Sequence, residues 1–247
     1  MIYVDVGNAR FWVEDAGDGP PVLFLHFGLG DHRVFEPEVR ALADEFRCVA
    51  YDRRFFGRTE APAEPYSDVA DVVALLDALG IETAALVGLS GGGKLALDVA
   101  FAHPERVLAV AHIAAPVTGI RWADELDALY ADADTPEKEL EVDLQVWAPL
   151  GADAFFREML SETRAGPEEA VAATNPPVAL EDVHVPTLVL TASHDPQSLQ
   201  NAGREAARRL PDARLVEVDC DHYLTLREPE LVTKLLRDFF AETIVAR

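Results

Sequence analysis

Short apolar runs alternate along this chain with stretches of helical spacing. Ile2–Val6 and Arg10–Glu14 read as β-like segments joined at Gly7-Asn8, which is a hairpin signal. Pro21–His26 (PVLFLH) is a continuous apolar run, as a strand buried on both faces requires. Val34–Asp44 has helical spacing, Phe46–Tyr51 (FRCVAY) is strand-like, and Asp68–Leu79 is helical. Thr83–Leu89 (TAALVGL) predicts a strand, Lys94–Ala102 a helix and Val107–Ala114 (VLAVAHIA) a strand. This order predicts βαβ units with right-handed crossovers and a largely parallel sheet.

The rhythm breaks between Val117 and Asp182, where no strand pattern appears. Trp122–Ala131, Pro136–Trp147 and Asp153–Thr163 have helical patterns. Pro149-Leu150-Gly151 and Gly166-Pro167 interrupt them, and Pro176-Pro177 closes the stretch. Alternation resumes with Thr187–Thr191, Leu199–Leu210, Arg214–Val218 and Glu230–Phe240. The expected fold class is α/β, with a mostly parallel eight-stranded sheet flanked by helices. Residues 1–116 and 183–247 would form the core, and 117–182 a helical insertion. An insertion beside the carboxyl edge of a parallel sheet tends to cover the ligand site, which makes it a lid; a packing decoration is the alternative.

A chain of 247 residues fits one α/β domain. Its two cysteines, Cys48 and Cys220, lie in apolar settings and read as buried free thiols. With 44 acidic against 21 basic residues the net charge is −23, which argues against a nucleic-acid or anionic-membrane partner. The acidic residues are spread along the chain, as on a solvated surface. No apolar run reaches the roughly 18 residues of a membrane span, and the first residues read as strands rather than a leader, so the cytoplasm is the expected location.

The strongest chemical signal is Gly88-Leu89-Ser90-Gly91-Gly92, a G-x-S-x-G pattern that follows an apolar strand and opens a helix. Such a turn strains the serine backbone and pushes its hydroxyl into the cleft. Small residues two before and two after it avoid collision with strand and helix, and the helix N-terminus favours developing negative charge. Gly91-Gly92-Gly93-Lys94 also hints at a phosphate cradle, but Leu95 follows the lysine where a phosphate loop has Ser or Thr.

A serine hydroxyl needs a base to take its proton. Among the seven histidines, His222 lies just past the last strand, in a loop that can reach the carboxyl edge of the sheet. His26 ends a strand before a glycine-containing loop, where a structural role is expected. Asp195, a short loop after Thr187–Thr191, is positioned to orient the imidazole. Asp221 is its rival, but a residue adjacent to the base usually points elsewhere. No H-E-x-x-H or C-x-x-C spacing is present, so neither a metal nor a cofactor is expected.

In order and spacing these residues resemble the α/β-hydrolase superfamily over essentially the whole chain. Asp52-Arg53-Arg54-Phe55-Phe56-Gly57-Arg58-Thr59 is similar to that family's D-x-R-G-x-G-x-S loop. Leu25-His26-Phe27-Gly28 resembles its oxyanion loop, and His103-Pro104-Glu105-Arg106-Val107 its link from the nucleophile helix to the next strand. The chain order Ser90, Asp195, His222 is the order expected of such enzymes. The resemblance implies a Ser90 nucleophile, a His222 base, an Asp195 orienting acid, and an oxyanion hole made by the Gly91 amide with that of Gly28 or Phe27. Phe27 and Phe55 depart from the pattern, each standing where glycine is usual. They imply either an aromatic wall near the acyl site or a mutual packing patch, with an ordinary φ or some strain at each position.

Phe27, Leu89, Trp122 and Trp147 are the expected substrate contacts, with Tyr130, Phe155 and Phe156 adding apolar surface to the insertion. The implied activity is hydrolysis of a small, fairly apolar ester or lactone. C–C bond hydrolysis and perhydrolysis use the same triad. A ligand receptor on a hydrolase scaffold is the alternative of another class.

Overall fold

The computed structural model describes residues 1–120, 124–162, 173, 175 and 177–245. Eight strands form one sheet: β1 (Ile2–Val6), β2 (Ala9–Ala16), β3 (Pro21–Leu25), β4 (Arg47–Tyr51), β5 (Ala84–Leu89), β6 (Val107–Ile113), β7 (Thr187–Ala192) and β8 (Ala213–Val218). Their order is β1-β2-β4-β3-β5-β6-β7-β8. Only β1–β2 and β2–β4 are antiparallel; every pairing from β4 to β8 is parallel. The expected mostly parallel eight-stranded sheet is therefore present, and Gly7 turns the first hairpin at φ 57°.

The helices are α1 (Glu36–Leu42), α2 (Asp68–Ala78), α3 (Gly91–Ala102), α4 (Asp124–Tyr130), α5 (Pro136–Trp147), α6 (Ala154–Glu162), α7 (Gln197–Arg209), α8 (Leu224–Arg227) and α9 (Pro229–Phe240). Their starts follow local chemistry. Ser67 caps α2 by accepting from the Ala70 amide, with Asp68 and Asp71 in the first turn. Thr135 caps α5 through the Lys138 amide, and Pro136 opens that helix. The helix expected from Lys94 begins instead at Gly91. Its first turn is glycine, whose weak helix propensity masks the true start.

The strands sort their side chains by the period of two. Val22 and Phe24 of β3, Ala85, Val87 and Leu89 of β5, and Ala109, Ala111 and Ile113 of β6 join one core with α1, α8, α9 and the insertion. Leu23, Leu25, Leu86 and Val110 face the opposite core, with α2 and α3. Apolar residues on both faces of each strand explain why these strands read as continuous hydrophobic runs. Between β6 and β7 the chain carries α4, α5 and α6, so Leu89 and the insertion share one core. Cys48 and Cys220 are buried free thiols. No helix among the described residues is long and apolar enough to cross a membrane.

Candidate active site

Ser90 sits between β5 and α3 with φ 53° and ψ −118°, a conformation few non-glycine residues adopt. Surrounding bonds hold it there. Its amide donates to Ile113 O at 2.8 Å, and its carbonyl accepts from Lys94 at 3.0 Å as the helix starts. The flanking glycines are sterically required. A Cβ on Gly88 would lie 2.2 Å from Gly92 O, and one on Gly92 would lie 1.8 Å from Leu25 O. Strand, turn and helix are thus pressed together until only glycine fits, and the serine takes the strain.

Asp195 lies beyond β7 and His222 beyond β8, both at the carboxyl edge of the sheet that also carries Ser90. His222 Nδ1 is 3.0 Å from Asp195 Oδ1 and 3.2 Å from Oδ2. The two residues are 2% and 5% exposed, so this is an almost fully desolvated pair. Asp221 is engaged elsewhere: Oδ1 accepts from Arg227 Nε at 2.6 Å, and Oδ2 from the Leu150 amide at 3.3 Å.

The Phe27–Gly28 dipeptide lies beside both Gly91 and His222. The Phe27 ring stands edge-on to the His222 ring, with centroids 6.3 Å apart, and to Tyr223 at 5.4 Å. On the other side, the Gly28 amide nitrogen is 3.7 Å from where a Cβ on Gly91 would stand. The two expected oxyanion donors, Gly91 and Gly28, are therefore neighbours. The Phe27 backbone is not in the left-handed region. Its ring fills the space beside Gly30, where a Cβ would meet Phe27 Cε1 at 2.4 Å.

Phe55 behaves differently. It keeps φ 69°, the conformation for which glycine is the usual residue, and its ring packs on Tyr66 at 5.5 Å. Phe27 packs on Tyr223 and Phe55 on Tyr66, so of the two alternatives the mutual patch is not formed; the rings sit on separate partners.

His26 ties down the loop that carries Phe27 and Gly28, the structural role expected of it. Its Nε2 accepts from the Arg53 amide at 2.9 Å, so Nδ1 carries the proton and donates to Phe27 O at 2.7 Å. In a trans peptide the C=O and the following N–H point in opposite directions. Holding Phe27 C=O therefore fixes the direction of Gly28 N–H. Burial, with the Arg53 charge beside it, pulls the His26 pKa down to about 4, so the ring is neutral at pH 7. The Arg53 guanidinium stacks on Phe56 and reaches Asp68, with Nη1 3.6 Å from the Gly91 Cβ position. The only signal for it in the sequence is its place beside Asp52.

Trp147 of α5 covers His222, with ring centroids 4.6 Å apart. Its Nε1 donates to Tyr130 OH at 3.0 Å, and that hydroxyl donates to Asp143 Oδ1 at 2.5 Å. Phe156 stacks edge-on to Tyr223 at 4.5 Å. Leu89 is buried at the end of β5. Trp122 lies outside the described residues.

Asp31, His32 and Asp52 bring three ligand-type atoms within 4.8 Å of one another. Their bonds are spent within the chain. Asp52 Oδ1 accepts from the His32 amide at 2.9 Å and contacts His32 Nδ1 at 2.6 Å, while Oδ2 accepts from the Arg58 amide at 2.8 Å. Asp31 is forked onto Arg33. The cluster is a buried tie between two loops. A cavity of about 570 Å³ beside it has His32, Asp52, Phe55, Arg58 and Met159 in its wall, but none of Ser90, Asp195 and His222.

The family described as the alpha/beta hydrolase fold matches residues 20–134. The chain is 28% identical to a 2-(acetamidomethylene)succinate hydrolase of Mesorhizobium japonicum, over 96% of this chain and 93% of that protein. It is 26% identical to the AB hydrolase superfamily protein YisY of Bacillus subtilis, over 94% and 96%. Among solved structures it resembles the enol-lactonase from Burkholderia xenovorans LB400, with TM-score 0.82, 26% identity and coverage of 97% and 100%. Sheet order and these matches show that the chain has the α/β-hydrolase fold.

Proposed function

We propose that the protein is a serine hydrolase that cleaves a small, fairly apolar carboxylic ester or lactone through a Ser90 acyl-enzyme. The observation that carries this reading is the buried His222–Asp195 pair at the sheet edge where Ser90 is held at φ 53°. His222 takes the Ser90 proton as Oγ attacks the carbonyl carbon. The tetrahedral oxyanion is held by the Gly91 and Gly28 amides, and His222 then protonates the leaving oxygen. Water gives a proton to the same imidazole and attacks the acyl-enzyme; the C–Oγ bond breaks, His222 returns the proton to Oγ, and the acid leaves. Asp195 holds the imidazole with Nδ1–H towards itself and stabilises its charged form.

Residues 117–182 serve as the lid in this reading. The apolar rings of Phe27 and Trp147 beside His222 favour an uncharged acyl group over a strongly polar one. The test is turnover of p-nitrophenyl acetate and a panel of lactones by the wild type and by Ser90→Ala. Turnover that disappears in Ser90→Ala supports the reading. Equal inactivity of both proteins, with a ligand that raises Tm, would make it a binding protein instead.

A further inference from the structure

We propose that Asp221 and Arg227 are positioning residues that latch the insertion onto the loop of the catalytic base, seating Trp147 over His222. The inference rests on the serine hydrolase reading for its catalytic consequence, but not for the latch itself.

Asp221 directly precedes His222 and is fully buried. Its carboxylate is shared between the two parts of the molecule. On its own side, Oδ1 accepts from Arg227 Nε at 2.6 Å and from the Tyr223 amide at 3.3 Å. On the side of the insertion, Oδ2 accepts from the Leu150 amide at 3.3 Å. Arg227, on α8, repeats the pattern. Its Nη2 donates to Gly151 O, and its guanidinium lies 4.9 Å from the Phe156 ring centroid. Gly151 has φ 104°, a conformation that suits glycine and that this turn of the insertion requires. Each charged residue thus holds one end of the Leu150–Gly151 turn. That turn directly follows α5, whose last residue is the Trp147 that covers His222 at 4.6 Å.

A buried carboxylate is costly unless it is paired, so this one commits the turn to a single seat. Releasing the turn frees the end of α5 and lifts the indole from the imidazole. Arg33 supports the same insertion from the opposite loop, near Glu158 at 3.6 Å and the Phe155 ring at 5.6 Å. That second contact is more exposed and contributes less.

The experiment uses Asp221→Asn, Arg227→Gln and the double variant in the full chain. Arg227→Lys is the variant that keeps the charge beside Asp221 while shortening the arm to Gly151. Kinetics are read on the ester turned over by the wild type. Acrylamide quenching of Trp147 is read in a Trp12→Phe, Trp122→Phe background. Each single variant is expected to lower kcat/KM at least about tenfold. The double variant should be no worse than the poorer single one, because both cut the same latch. Quenching of Trp147 should rise at least about twofold in every variant, Arg227→Lys included, while a fluorophosphonate still labels Ser90. Additive losses, or Trp147 quenching that stays at the wild-type value, would overturn the latch. If the wild type neither turns over esters nor reacts at Ser90, the hydrolase reading fails, and the quenching of Trp147 in the single and double variants still decides the latch.

Discussion

Replacing His26 by alanine tests how the proposed oxyanion loop is built. The imidazole makes two buried bonds, donating to Phe27 O at 2.7 Å and accepting from Arg53 N at 2.9 Å. Alanine leaves both backbone groups without that partner, at about 1–3 kcal/mol each, so the loss at pH 7 is about 2–6 kcal/mol. Catalysis should suffer separately. Gly28 N–H remains but is no longer aimed, so kcat should fall by about ten- to a hundredfold, less than the hundred- to thousandfold of a deleted donor. KM should change little, because in the proposed mechanism the donor acts on the oxyanion and not on the ground-state carbonyl.

The destabilisation should also depend on pH. The folded-state pKa of His26 is about 4 against an ordinary 6.5. The unfolded chain therefore binds a proton over this window that the fold refuses, and the His26 contribution is lost as pH falls from 6.5 towards 4. Lowering the pKa from 6.5 to about 4 is worth about 3 kcal/mol when complete, so most of the gap between wild type and His26→Ala that it contributes should be lost by pH 4.5. Urea melts at pH 7 and 4.5, with steady-state kinetics at 20 °C, provide the readouts. A variant that loses stability but keeps its kcat would refute the positioning role. A gap of equal size at both pH values would refute the buried neutral imidazole.

Two further outcomes follow from residues outside the proposed triad. At position 55 the backbone stands at φ 69°, so Phe55→Gly should be more stable than Phe55→Ala by about 1 kcal/mol, against the usual order of these residues; a melt that ranks alanine higher contradicts the strain. Glu38 is fully buried, neither carboxylate oxygen has a hydrogen-bond partner among the described residues, and burial holds its pKa well above 4.5. Its stabilising contribution is present below 4.5 and is lost as pH rises, so Tm of Glu38→Gln relative to wild type should increase between pH 4.5 and 8, and a flat difference would refute this.

Most of the fold was legible because strands buried on both faces leave unbroken apolar runs, and Val22 to Leu25 divide between two cores as such a run predicts. The start of α3 was hidden by its glycines, which serve close packing against Leu25 and Gly88 rather than helix propensity. The turn at Ser90 and the pairing of Asp195 with His222 were legible from strand ends and chain order. What the sequence could not show was the use of neighbouring groups. The His26 clamp depends on a tautomer fixed by a backbone amide 27 residues away. Asp221 reads as a rival to Asp195 until Arg227 and the Leu150 amide occupy its oxygens. Phe27 and Phe55 look like equivalent departures, yet one has an ordinary backbone and the other a strained one, a difference set by the turns around them.

The central claim, that Ser90 is the nucleophile served by His222, is tested most directly by fluorophosphonate labelling followed by peptide mass spectrometry. The phosphonyl group should be found on Ser90 in the wild type, far more slowly in a folded His222→Ala, and not at all in Ser90→Ala. Labelling that persists in folded Ser90→Ala, or a wild type that never reacts, would contradict it.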